Sequence, residues 1–153
     1  MADLLLDTTY LLPAFGVGVR LDRFEERFPR LLARYSVHYN PVSLVEAKWI
    51  ILRLGRERAA DRDRLLEGYR LGLRVLLADE RLRQTGLTGE AVERVADGLV
   101  DDGLKDYFDR TIYGTACCGG HVLLTEDEEL RALKKQEAVP KPSDILSWKD
   151  IAH

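Results

Sequence analysis

The chain has 153 residues, 46% of them hydrophobic and 32% charged, which is one domain's worth of polypeptide and excludes both a disordered chain and an apolar membrane protein. A net charge of −3 excludes binding to nucleic acid through overall basicity. No apolar run nears the ~18 residues of a membrane span, and MADLLLDTTY lacks the basic region and cleavage site of a signal peptide, so a cytoplasmic protein with no membrane contact is expected.

Leu4–Leu6 is a short apolar run ended by Asp7, with Thr8 and Thr9 following, and it reads as a buried strand whose carboxyl end opens into a helix start. Residues 21–34 place Phe24, Phe28, Leu31 and Leu32 three and four apart, the spacing of an amphipathic helix that Pro29 should kink or divide. Ser36–Tyr39 reads as a second strand. Asn40-Pro41 then turns the chain, and Asn40 or Ser43 can cap a helix from Val42 to Leu54 that carries Glu46 and ends at Gly55.

A third helix is expected over 57–77, with Leu65, Tyr69, Leu73 and Leu76 on a broad apolar stripe, and a fourth capped by Thr88 and running through Leu99. The stripe is wide enough to suggest a homodimer interface. Residues 105–118 form a further helix stopped by Gly119-Gly120. Val122–Leu124 is a buried strand, residues 125–135 a helix whose first turn is loaded with acids, and residues 144–147 a last short strand. Alternation of this kind implies a three-layer α/β/α domain, residues 1–153, around a parallel sheet of four to five short strands.

In such sheets ligands bind beyond the carboxyl ends of the strands. Asp7 and Asp127 lie just past two such ends, while Glu46 and Asp109 sit early in two helices, so four acids from distant stretches can converge on one cleft. Oxygen-only ligation suits Mg²⁺ or Mn²⁺. Of the run Glu126-Asp127-Glu128-Glu129, the three glutamates read as a solvated helix start, and Asp101, Asp102 and Asp106 as a solvated acidic turn. Trp49, Trp148 and the adjacent Cys117 and Cys118 read as packing residues, and His38, His121 and His153 stand at no metal-binding spacing.

These residues also carry a family resemblance. LLLDTTYLL resembles the first strand and acid of PIN-domain ribonucleases, SLVEAKW their second acidic motif, and FDRTIYGTA followed by VLLTEDEEL their paired third and fourth motifs. The sequence departs from the commonest pattern at Thr9, where Asn is frequent, and at Gly114, in a helix usually rich in Ala. The resemblance spans Leu4 to Leu130 and implies that Asp7, Glu46, Asp109 and Asp127 are metal-binding, catalytic acids and that Thr8 or Thr125 supplies a supporting hydroxyl. It implies metal-dependent hydrolysis of RNA, and many such proteins are VapC-type toxins paired with an antitoxin.

From Arg53 to Arg74 the chain holds seven Arg against four acids, so Arg53, Arg56 and Arg58 are candidates to gather RNA beside the cleft, although Arg at these spacings can equally pair with neighbouring acids. Two other readings stand beside the nuclease. A haloacid-dehalogenase-type phosphatase wants a second Asp where Thr9 stands, and a non-catalytic nucleic-acid- or partner-binding domain would leave four intact acids without a task.

Overall fold

Parallel pairing in register organises the molecule. In the computed structural model, which describes residues 2–151, five strands line up in the order β3-β2-β1-β4-β5, all pairs parallel. They are β1 (Asp3–Leu6), β2 (Ser36–Tyr39), β3 (Leu82–Gln84), β4 (Val122–Leu124) and β5 (Asp144–Leu146). The chain moves outward from β1 through β2 to β3 and then returns to the other side of β1 for β4 and β5. The order therefore reverses at β1, whose carboxyl end is the crevice where such sheets bind ligands.

Period-two alternation divides the core. Leu4 and Leu6 face one side of the sheet, with Val37, Tyr39 and Leu124, while Leu5 and Leu123 face the other with Ile145. The first side is covered by α1 (Phe24–Arg34), α2 (Val42–Glu57), α3 (Arg62–Ala78) and the terminal turn α7 (Trp148–Ile151). The second is covered by α4 (Glu90–Gly98), α5 (Tyr107–Gly119) and α6 (Glu128–Ala132). This is the three-layer architecture expected from the alternation of elements.

Several local expectations are corrected. Pro29 does not divide α1, which runs unbroken from Phe24 to Arg34. Gly55 does not end α2; it lies inside the last turns, where a Cβ would meet Arg62 Cγ at 3.2 Å. Asn40, not Ser43, caps α2: its Oδ1 accepts the Val42 N–H at 2.8 Å while its Nδ2 donates to Thr115 Oγ1 at 2.9 Å, which ties β2 to α5. Thr88 caps nothing, since α4 begins after Gly89 with no side-chain cap. Gly114 packs where α5 crosses α4, 2.8 Å from the Val92 carbonyl for a Cβ built there, so a small residue is a packing requirement.

The apolar stripe of α3 turns inward. Tyr69 and Leu76 are 9% and 2% exposed and join the first core, and Leu65 and Leu73 pack against it. The stripe packs on Thr8–Phe15, where the helix start expected after Asp7 is a 3₁₀ segment; Gly72 is so close to it that a Cβ would overlap the Ala14 carbonyl. Exposed apolar residues lie elsewhere, on the outer faces of α2 (Val45, Trp49, Leu52) and α3 (Leu71, Val75). Trp49, expected inside, is 64% exposed, whereas Trp148 is buried. Cys118 is exposed and Cys117 half-buried, so the cysteines are not both core thiols. His153 lies outside the described residues.

Candidate metal centre

The site grows out of the β1–β4 ladder. Leu6 pairs with Leu124, the Asp7 N–H continues the ladder to the Leu124 carbonyl at 2.9 Å, and the chains therefore emerge with Asp7 and Thr125 side by side. Thr125 Oγ1 donates to Asp7 Oδ2 at 2.7 Å and the Thr8 N–H donates to Oδ1 at 2.7 Å, so both oxygens of this buried carboxylate are held in place. Glu46 comes from the second turn of α2, which follows β2 and its Asn40 cap, and Asp109 from the first turn of α5. Asp7, Glu46 and Asp109 each offer a carboxylate oxygen, and the three oxygens lie within 4.8 Å of one another.

Of the four acids expected to converge, Asp127 stands outside this trio and forms part of the cleft wall. It also caps α6, with Oδ1 accepting the Leu130 N–H at 3.0 Å, and its own N–H donates to Thr125 Oγ1 at 3.1 Å. Thr125 therefore bridges Asp7 and Asp127. Arg53, Arg56 and Arg58 are exposed, and none lines the cleft. Arg53 stands seven residues after Glu46 and three after Ile50, which lines the cleft, so it shares their side of α2.

Two acids assigned to solvent belong to the cleft. Asp106 caps α5 by accepting the Phe108 and Asp109 N–H groups at 2.8 and 3.3 Å, and it also borders the site. Glu126 Oε2 accepts from Tyr10 Oη at 2.9 Å and from the Trp148 N–H at 3.0 Å, which fixes it in the wall. Sequence alone carried one usable signal for Asp106, its place just before a helix that bears a candidate ligand. Nothing in the sequence marked Glu126 off from its acidic neighbours.

Burial and crowding act on the trio together. Burial pushes Asp109 up to about 8, and Asp7, Asp106, Asp127 and Glu46 add to the rise. Burial pushes Glu46 up to about 7; the Thr8 hydroxyl opposes this, and Asp7, Asp106 and Asp127 reinforce it. Thr8 Oγ1 is buried and completes no well-formed hydrogen bond, so this hydroxyl lies near Glu46 without being committed to it. Asp7 is raised by burial in spite of its hydrogen bonds from Thr125 and Thr8. Carboxylates this close disfavour one another's charge unless a cation joins them.

The donor set fits a hard divalent cation. Its members are carboxylates from three elements, joined at the edge by an unpartnered, buried Thr8 hydroxyl and with no His or Cys in the group.

No protein-family model matches the chain, and no curated protein matches it in sequence. Solved structures do match in fold. VapBC2 from Rickettsia felis, bound to a DNA fragment from its promoter, is similar with a TM-score of 0.62 at 14% identity, covering 95% of this chain and 98% of that one. PAE2754 from Pyrobaculum aerophilum gives 0.63 at 16%, covering 97% and 85%. VapBC-5 from Mycobacterium tuberculosis, of the VapBC family of toxin-antitoxin systems, gives 0.57 at 19%, covering 96% and 99%. At these identities the likeness is one of fold. The chain shares the parallel α/β fold of these structures.

Proposed function

We propose that residues 1–153 form a single divalent-metal-dependent nuclease domain that hydrolyses RNA phosphodiester bonds and acts as the toxin of a toxin-antitoxin pair. The observation that carries this is the convergence of Asp7, Glu46 and Asp109, which are contributed by β1, α2 and α5 and offer oxygens within 4.8 Å of one another. Bound Mg²⁺ or Mn²⁺ would supply Lewis-acid stabilisation of the phosphoryl oxygens and a water made acidic enough to attack near neutral pH.

The chain's own groups do the rest. Asp7, Glu46 and Asp109 would hold the cation, with Thr125 fixing the carboxylate plane of Asp7 through its hydrogen bond. Asp127 spends one oxygen on the α6 cap and has the other to orient water or a further ion at the wall. Thr8 offers its unpartnered hydroxyl to the same space. Arg53, with Arg56 and Arg58 beyond it, would meet RNA at the α2 side of the cleft. An antitoxin partner is inferred from the toxin-antitoxin systems that share the fold.

A homodimer through the outer faces of α2 and α3 would cover Val45, Trp49, Leu52, Leu71 and Val75, in place of the α3 stripe already spent on the core. Sedimentation should then give twice the chain mass, and a monomer at tens of micromolar would contradict it.

The deciding experiment for the activity is hydrolysis of end-labelled RNA by purified protein. Cleavage in Mg²⁺ or Mn²⁺ that stops in EDTA is expected; equal cleavage in EDTA would remove the cation from the mechanism.

A further inference from the structure

A second basic surface reaches the cleft from α1. Arg23, Arg27, Arg30 and Arg34 recur at intervals of four, three and four, which puts them in one stripe about 16 Å long on one face of a helix. They line a groove floored by Leu31, Tyr35, Trp148 and Ile151. The groove continues past Arg20, Arg27, Trp148 and Lys149 to Glu126. Glu126 is also a wall of the acidic cleft, so the two surfaces meet there.

The charges on this path are available. Glu26 lies between Arg23 and Arg30 at 2.5 and 3.0 Å in exposed pairs, and the exposed Asp22 meets the half-buried Arg27 at 3.1 Å; a phosphate can replace pairs open to solvent at little cost. Arg20, Arg34 and Lys149 make no ion pair among the described residues, and the Arg34 guanidinium lies over the Tyr35 ring at 5.5 Å. Arg23 has a further peculiarity. It is the one non-glycine residue in the left-handed region among those described, with φ of 52°, at the N-cap of α1 and without a side-chain cap. Gly or Asn would cost less there and the helix dipole disfavours a cation, so neither backbone nor dipole accounts for Arg at this place.

We propose that this groove binds the backbone of a single-stranded RNA whose scissile phosphate lies in the acidic cleft, with successive phosphates on Lys149, Arg20 and Arg27 and then on Arg30 and Arg34. The proposal rests on the nuclease reading above. Evenly spaced cations suit a strand of evenly spaced anions, and the groove is lined by four arginines with Arg20 and Lys149 beyond them, a line of positive charge that a phosphate backbone matches along its length.

The test is fluorescence anisotropy of a labelled single-stranded RNA oligonucleotide against the Asp109→Asn protein in Mg²⁺, with and without Arg30→Ala plus Arg34→Ala, over a range of salt. Both arginines are exposed, so the double variant should fold. Loss of two phosphate contacts should lower the slope of log affinity against log salt by about 1.4 and weaken binding about 25-fold near 0.1 M salt. Arg53→Ala plus Arg56→Ala should have the smaller effect. Unchanged slope and affinity in the Arg30/Arg34 variant, with the parent cleaving RNA, would overturn the groove alone. A parent that neither cleaves nor binds RNA would overturn the nuclease reading and the groove with it. Arg30/Arg34-dependent binding of a polyglutamate peptide, with RNA affinity untouched, would overturn it in favour of an acidic protein partner.

Discussion

Asp7→Asn and Asp109→Asn are each expected to lower RNA hydrolysis by more than about 100-fold while leaving the protein folded, since losing a ligand should exceed the 10- to 100-fold typical of losing a group that merely orients one. Asp7 is placed centrally, with Thr125 and the Thr8 N–H locking both of its oxygens, and Asp109 shares its cation-sized space with Asp7 and Glu46. Asn preserves the shape and removes the charge. Glu128, exposed on α6 and outside the cleft, supplies the control. Initial rates on labelled RNA in Mg²⁺ should show Glu128→Gln within about twofold of the parent. A Glu128→Gln loss as deep as that of Asp7→Asn would mean that the cleft has been put in the wrong place.

Removing the cation should make stability fall as pH rises. Glu46 and Asp109 are held at about 7 and about 8, above their unfolded values near 4, so between these limits the folded state holds more protons than the unfolded one. Stability then declines with pH across that window and is unaffected by these groups below it. One extra proton retained over two pH units, halved for the solvent that reaches these partly exposed groups, amounts to about 1.4 kcal/mol, or a midpoint drop of about 3–6 °C for a domain this size. Melting curves in EDTA at pH 6 and pH 8 read this directly. Asp7→Asn removes one of the crowding charges and should melt above the parent at pH 8, and added Mg²⁺ should raise the parent by mass action. A parent in EDTA that is equally stable at both pH values, or an Asp7→Asn protein that melts lower, would speak against strained carboxylates.

The elements legible in the sequence were those with a strong periodic burial. Leu4–Leu6 and Leu123–Leu124 are buried on both faces of the sheet, with Val122 half-buried, and read as continuous apolar runs. Leu82-Arg83-Gln84 did not, because β3 is an edge strand with one neighbour and mostly exposed side chains. The 3₁₀ segment after Asp7 was legible only as a helix start, for a different reason. Its Tyr10, Leu11, Leu12 and Phe15 are buried against α2 and α3, a surface set by tertiary packing.

The site divides in the same way. Asp7, Glu46 and Asp109 stood out because each sits where an element begins or ends near the crevice. Glu126 did not, since what draws it into the wall is a hydrogen bond from Tyr10, 116 residues away in sequence, and another from the Trp148 backbone. The α3 stripe misled because periodicity reports an apolar face without saying what covers it; here the core and the 3₁₀ segment do. The arginine stripe of α1 shares its helix with apolar residues and was read for its packing alone.

Calorimetric titration of Mn²⁺ into the metal-stripped parent and the Asp7→Asn protein, near pH 7.5, bears most directly on the acidic cleft as a cation site. The parent should bind at least one Mn²⁺ per chain and release protons as it does so, seen as a dependence of the heat on the buffer's ionisation enthalpy, because Glu46 and Asp109 are partly protonated without metal. Asp7→Asn should lose that binding. Saturable Mn²⁺ binding of equal affinity and stoichiometry in the two proteins, or none in either, would contradict a metal centre built on Asp7, Glu46 and Asp109.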